Sequence, residues 1–180
     1  EQGYTTAYTL GSPDSAYTSN LPKYFATAFT SNGGTVVGEG TYTMGQPNFN
    51  VIVDEIKSLP TAPDVIMTPA YEPDFPTFLK ALRGAGITTP VLGTDGIDSA
   101  TTLGLGEVAD GVVFSTAGIL ANEGDQAAFW TKYNTKYGKD PETIFAITGY
   151  ELGKILEAAV TNAQRCDPIP IKDALTNLEG

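Results

Sequence analysis

The chain has no histidine and a single cysteine, Cys166. Without imidazole, and with one thiol, the usual zinc sites, histidine-ligated haem and histidine-based triads are excluded. One cysteine cannot form an internal disulfide, so cysteine usage leaves the redox compartment open. Basic residues are scarce, with 10 Lys and Arg against 21 Asp and Glu and a net charge of −11. No basic patch is available to displace counterions, which argues against nucleic-acid binding. The acidic excess itself reads as a solvated surface. No apolar run reaches the ~18 residues that span a bilayer. A starting methionine and a signal-peptide pattern are also missing. The chain opens at Glu1-Gln2-Gly3 and enters a strand at once, so it reads as an excised or processed piece.

Cofactor motifs are equally thin. There is no P-loop lysine motif and no G-x-S-x-G elbow. Gly104-Leu105-Gly106-Glu107-Val108-Ala109 fits a relaxed G-x-G-x-x-A pattern. A dinucleotide site needs that pattern after a strand and at the start of a helix. Here it follows a helical segment and leads into a strand. A receiver-type phosphoacceptor aspartate belongs at the end of the third strand, where this chain has Thr68-Pro69-Ala70. Asp14, after the first strand, lacks the second aspartate of a phosphoaspartyl hydrolase. No cofactor, no metal and no catalytic residue are expected.

What is present is a core. Hydrophobic residues make up 41% of 180, enough for one α/β domain or a little more. The organising stretch runs from Asp64 to Gly96. Val65-Ile66-Met67 suits a strand buried on both faces. Phe75, Phe78, Leu79 and Leu82 recur at i, i+3, i+4 and i+7, one face of a helix stopped by Gly84 and Gly86. Val91-Leu92 begins the next strand, cut off by Thr94-Asp95-Gly96. A strand–helix–strand unit of this kind is parallel.

The remaining elements extend the pattern. Tyr4 to Leu10 is the first strand. Leu21, Tyr24, Phe25, Ala28 and Phe29 form a helical face. Because Pro22 belongs in a first turn, the helix is predicted to start near Ser19 or Asn20, leaving Tyr17 in the preceding loop. Thr35 to Tyr42 is the second strand. Phe49, Ile52, Val53, Ile56 and Leu59 mark an amphipathic helix ended by Pro60. Asp98 to Gly106 reads as a short helix or turn, and Val112-Val113-Phe114 as a fifth strand. The expectation is an α/β fold with a doubly wound parallel sheet, self-contained to about Ala117. From Gly118 onward only helices are predicted: one around Phe129 to Tyr137, a longer one from Ile144 to Ala159, and one after the breakers Pro168 and Pro170.

In open α/β sheets, ligands sit at the carboxyl ends of the strands. Three loops at that edge carry Tyr17, Tyr71 and Asp95. Each alone has an ordinary reading: Asp95 as a turn former, the tyrosines as partly buried aromatics. Together they suit a small cation. A carboxylate ~4 Å from an ammonium is worth roughly 4 kcal/mol at an effective dielectric of ~20. Tyrosine rings add flat walls and cation–π attraction. Glu72 and Asp74 follow Tyr71 and read as helix-start acids, with Glu72 a minor candidate for the rim.

The order and spacing of these pieces resemble the solute-binding proteins of the branched-chain amino acid type, the periplasmic binding proteins of type I. The resemblance rests on several stretches: the Tyr17 opening through Phe29 to Gly33-Gly34, and Tyr42, Phe49 and Ile56-Lys57. It continues with Pro63-Asp64-Val65-Ile66, Leu82-Arg83-Gly84-Ala85-Gly86, Pro90 through Gly96, and Asp110-Gly111-Val112. Tyr133, Tyr137-Gly138, Pro141 and Tyr150 extend it. It implies a protein of two lobes joined by a hinge. Residues 1–117 would be the second lobe. Residues 118–180 would be helices of the first lobe, whose sheet this stretch does not contain. In amino-acid-binding members, Tyr17, Tyr71 and Asp95 would face the ligand, and the acid would hold its α-ammonium. Three departures stand out: Tyr17-Thr18 where Tyr-Gly is usual, Pro22 within the first helix, and Asn48 in place of an aspartate.

The resemblance therefore implies capture of a small amine-bearing ligand, most naturally an amino acid. The ligand would pass to the membrane permease of an ABC importer, in the periplasm or outside the cell, with a lipoprotein anchor as one variant. A ligand-sensing ectodomain or an amide- or urea-sensing regulator of the same fold is the alternative, and a flavodoxin-like enzyme the third. A stretch lacking half the cleft should bind weakly. Its uncovered helices could also pack against a second copy.

Overall fold

The computed structural model describes residues 2–178 and divides the chain into two compact units, Glu1–Ala117 and Gly118–Gly180. The first is α/β. Its strands are β1 (Thr6–Gly11), β2 (Thr35–Thr41), β3 (Val65–Met67), β4 (Val91–Gly93) and β5 (Val112–Phe114), and its helices are α1 (Ala16–Ser31), α2 (Asn50–Ser58), α3 (Asp74–Gly84) and α4 (Ala100–Leu103). The sheet order is β2-β1-β3-β4-β5, and every pairing is parallel. The winding reverses between β1 and β3, so their carboxyl ends diverge into loops on either side of a crevice.

Alternation along the strands splits the sheet into two faces. Tyr8, Leu10, Ile66 and Val91 point to one side, where Phe49, Ile52, Phe75, Phe78 and Leu82 of the α2 and α3 segments cover them. Ala7, Val65 and Met67 point to the other and are also buried. That second face is thinner. Phe25 of α1 covers part of it, and a hollow of about 370 Å³ remains between Phe25, Met67, Leu92 and Val113.

The start of α1 differs from the sequence expectation. The helix begins at Ala16, and Ser15 caps it by accepting the Thr18 N–H. Tyr17 therefore lies in the first turn, and Pro22 lies inside the helix. Local chemistry explains both. Pro22 has no N–H to give the Thr18 carbonyl four residues back. That carbonyl instead accepts the Ser12 N–H at 3.2 Å. The Thr18 hydroxyl returns the bond, donating to the Ser12 carbonyl at 3.0 Å. The turn is packed tightly enough that a Cβ on Gly11 would stand 2.8 Å from the Thr18 oxygen.

The second unit contains α5 (Ala127–Tyr137), α6 (Ile144–Ala163) and α7 (Pro168–Thr176). Phe129 packs between the rings of Tyr133 and Tyr150, at centroid distances of 5.6 and 5.2 Å. Pro168 and Pro170 were expected to precede the last helix; both fall in its first turn. The first N–H groups of a helix have no intrahelical acceptor, so proline is harmless there. Among the described residues no helix is long and apolar enough to cross a membrane.

Candidate functional site

At the carboxyl edge of the sheet, α1 supplies Tyr17, the loop after β3 supplies Tyr71, and the turn after β4 supplies Thr94 and Asp95. All three residues named from the sequence, Tyr17, Tyr71 and Asp95, share this rim, and each is half-buried. The Tyr17 and Tyr71 rings meet edge to face, with centroids 6.2 Å apart and planes at 62°. The Tyr17 phenol oxygen lies 2.5 Å from Asp95 Oδ1 and 2.5 Å from Thr94 Oγ1. A phenol has one proton. Donated to the carboxylate, it leaves the Thr94 hydroxyl to donate back to the phenol oxygen. Burial first, and then the bond to Asp95, raise the Tyr17 pKa above its ordinary value. The phenol thus stays protonated and keeps Asp95 oriented.

This arrangement leaves Asp95 half engaged. Oδ1 is taken by Tyr17, while among the described residues Oδ2 has no hydrogen-bond partner and no lysine or arginine pairs with the side chain. A carboxylate with one oxygen anchored and the other open, beside two phenol rings, is chemically suited to an ammonium group.

Glu72 is differently placed. Its carboxylate accepts a short hydrogen bond from the Ser99 hydroxyl. Ser99 is itself the cap of α4, accepting the Thr102 N–H at 3.1 Å. The second glycine of interest is Gly96, directly after Asp95. A Cβ there would lie 2.9 Å from Tyr71 Cβ and 3.6 Å from the Tyr17 hydroxyl.

Sequence reasoning missed four participants. Thr94 and Gly96 flank Asp95 and were read only as turn residues. Ser99 was lost in a stretch with no clear period. Met44 comes from the loop after β2, and its sulfur receives the Tyr71 hydroxyl at 3.6 Å. Two carboxylates hold that loop: Asp14 accepts the Met44 N–H at 2.8 Å, and Asp74 accepts the Gly45 N–H at 2.8 Å. Asp74 is only 3% exposed. Burial raises its pKa, an effect the Gly45 N–H partly offsets. No periodic signal connects residues 30 positions apart; only the choice of acids in turns hinted at such ties. Among the described residues, no group of three or more His, Cys, Asp or Glu side chains could hold a metal ion.

Comparison with known proteins bears on the chain as a whole. The family model described as "Periplasmic binding protein" matches residues 1–179. The chain belongs to that family. Its members are binding proteins. A leucine-binding protein, LivK, of Thermotoga maritima superposes with a TM-score of 0.84 at 25% identity, over 96% of this chain and 49% of that one. A Rhodospirillum rubrum structure assigned to a branched-chain amino acid ABC transporter gives 0.73 at 32% identity, over 96% and 50%. Among curated proteins, Leu/Ile/Val-binding protein homolog 7 of Brucella abortus is 24% identical over 182 residues, 92% of this chain and 43% of that protein. This periplasmic binding protein chain thus spans about half the length of the relatives it matches.

Proposed function

We propose that this chain supplies one wall of a ligand cleft and holds the ammonium group of a small solute, an amino acid in the simplest case. The observation that carries this reading is the half-engaged Asp95 between Tyr17 and Tyr71 at the sheet edge. In this reading, residues 1–117 are the second lobe of a two-lobed protein. Residues 118–180 contribute helices to the first lobe, whose remaining part would cover Leu152, Ile155 and Leu156 of α6 and grip the ligand carboxylate. Closure of the lobes would trap the ligand. The complex would then deliver it to the permease of an ABC importer, in the periplasm or at the outer cell surface. The leucine-binding protein of Thermotoga and the Leu/Ile/Val-binding protein homolog of Brucella, both similar to this chain, support the ligand class.

The test isolates the ammonium. Leucinamide keeps that group and lacks the carboxylate that another lobe would hold. N-acetylleucine lacks the ammonium. In NMR titrations of the 180-residue chain, leucinamide should shift the Gly96 amide and the Tyr17 ring, with a Kd weaker than about 1 mM. Asp95→Asn should remove the response. Equal shifts with N-acetylleucine, or none with any amine, overturn the reading. Submicromolar binding of leucine would contradict the assignment of a missing half-site.

A further inference from the structure

We infer that Glu72 and Ser99 are positioning residues: joined across Gly96, they set the gap between the Tyr71 ring and the Asp95 carboxylate. The inference rests on the ammonium reading of that rim and deepens it. Tyr71 and Asp95 leave neighbouring strands, paired at Met67 and Leu92, on separate loops. Backbone pairing stops there, so the strands alone do not fix the distance between the two side chains. Something beyond the sheet edge must.

Two contacts do so. The first is the approach of Gly96 to Tyr71, close enough that any Cβ on residue 96 would collide with Tyr71 Cβ at 2.9 Å. Close approach by itself is only a limit; it stops the loops from moving together and does not stop them from separating. The second contact supplies the missing half. Glu72 is adjacent to Tyr71 in sequence, and its carboxylate accepts the hydrogen bond donated by the Ser99 hydroxyl. Ser99 is held in turn, because its oxygen accepts the Thr102 N–H and Thr102 is buried. The tie therefore ends on a fixed helix start, not on a freely rotating side chain. A limit against approach and a tie against separation together leave one spacing, which is the preorganisation a small cation site needs.

The same geometry separates Glu72 from Asp95. Both are acids near the rim, but Asp95 keeps one oxygen without a partner among the described residues, and Glu72 is committed to Ser99. Glutamine at residue 72 keeps a carbonyl oxygen for Ser99 and loses the charge. If Glu72 only positions, Glu72→Gln should behave like wild type, and Glu72→Ala should not. If Glu72 itself touched the ammonium, both variants would fail alike.

The decisive readout needs no ligand. In the 180-residue chain, the proton–proton NOE between Tyr71 Hβ and Gly96 Hα reports the gap. It should persist in Glu72→Gln and weaken in Glu72→Ala and Ser99→Ala, while the urea midpoint of the sheet unit stays close to wild type. Leucinamide titrations supply the second arm. Affinity should fall about tenfold in Glu72→Ala and in Ser99→Ala. The double variant should be no weaker than either single one, because both remove the same tie. An unchanged NOE and unchanged affinity in both alanine variants overturns the inference, as does a Glu72→Gln variant that loses binding with its NOE intact. If leucinamide fails to bind wild type, the ammonium reading falls, and the NOE comparison still decides the positioning role.

Discussion

In Glu1–Ala117, the apolar faces of α2 and α3 lie on the sheet, and Phe75, Phe78, Leu79 and Leu82 of α3 are fully covered. In Gly118–Gly180, α6 carries a more apolar sequence than α3, yet Leu152, Ile155 and Leu156 stand 66%, 47% and 50% exposed. Composition is therefore not what separates the units. The difference is the presence of a second layer. A helix buries its stripe only against a partner surface, and a sheet offers a far larger one than two neighbouring helices. The sheet unit can hold side chains at fixed distances, and the three-residue rim is built on it. The helical unit has apolar surface to spare, which fits a piece that would complete a larger body.

The largest expected effect breaks this comparison directly. Phe78→Ala removes a fully buried ring and should cost the sheet unit about 3–5 kcal/mol in urea unfolding. Leu152→Ala in α6 should change stability by less than about 0.5 kcal/mol. Equal costs would mean that α6 is covered in solution. Next comes Gly11→Ala, whose Cβ would meet the Thr18 carbonyl oxygen at 2.8 Å. It should lower stability by about 1–3 kcal/mol, read in the same unfolding experiment, and disturb Tyr17 as well.

Charge effects are smaller and have opposite signs. Asp74 is buried and its pKa is raised, so its ionised form opposes folding at neutral pH. That penalty fades as pH falls through the raised value. Asp74→Asn keeps an oxygen for the Gly45 N–H and should be stabilising at pH 7 by no more than about 1 kcal/mol. Asp64 is the reverse. The N–H groups of Thr5 and Thr6, then their hydroxyls, hold its pKa down at about 2, from an ordinary 3.8. Its contribution is complete above the ordinary value and is lost as pH falls from there through about 2. Asp64→Asn should therefore lower the melting temperature of the sheet unit at pH 7, where the wild-type contribution is complete, and flatten its acid limb, the two curves converging as pH falls from 5 toward 2.

How far the sequence was legible follows from the same contrast. The strands β3 and β4 and helix α3 were readable because short apolar runs and a clean 3.6-residue stripe leave few alternatives. The absence of strands after β5 was readable because alternating and short apolar patterns stop near Gly118. The start of α1 was misread because Pro22 was treated as a boundary, when a backbone N–H from Ser12 had taken over the orphaned carbonyl. Tyr17, Tyr71 and Asp95 could be brought to one edge from the sequence because each follows the carboxyl end of a strand on the same side of a parallel sheet. Thr94, Met44 and Ser99 could not, since their roles depend on contacts between loops far apart in the chain. Glu72 was placed near the rim on proximity alone, and only the Ser99 bond shows where its charge is directed.

The Ser12–Thr18 exchange has a consequence for how mutation would reach the rim. A proline usually ends a helix by leaving a carbonyl with nothing to hold; here the vacancy is the mooring point for the exit of β1, and Tyr17 lies within the stretch that one backbone bond and one Thr18 hydroxyl bond close between Ser12 and Thr18. Restoring an ordinary helix by Pro22→Ala would set a new amide competing with Ser12 for one oxygen. A change that looks like a repair to the helix would loosen the mooring of the phenol that steers Asp95.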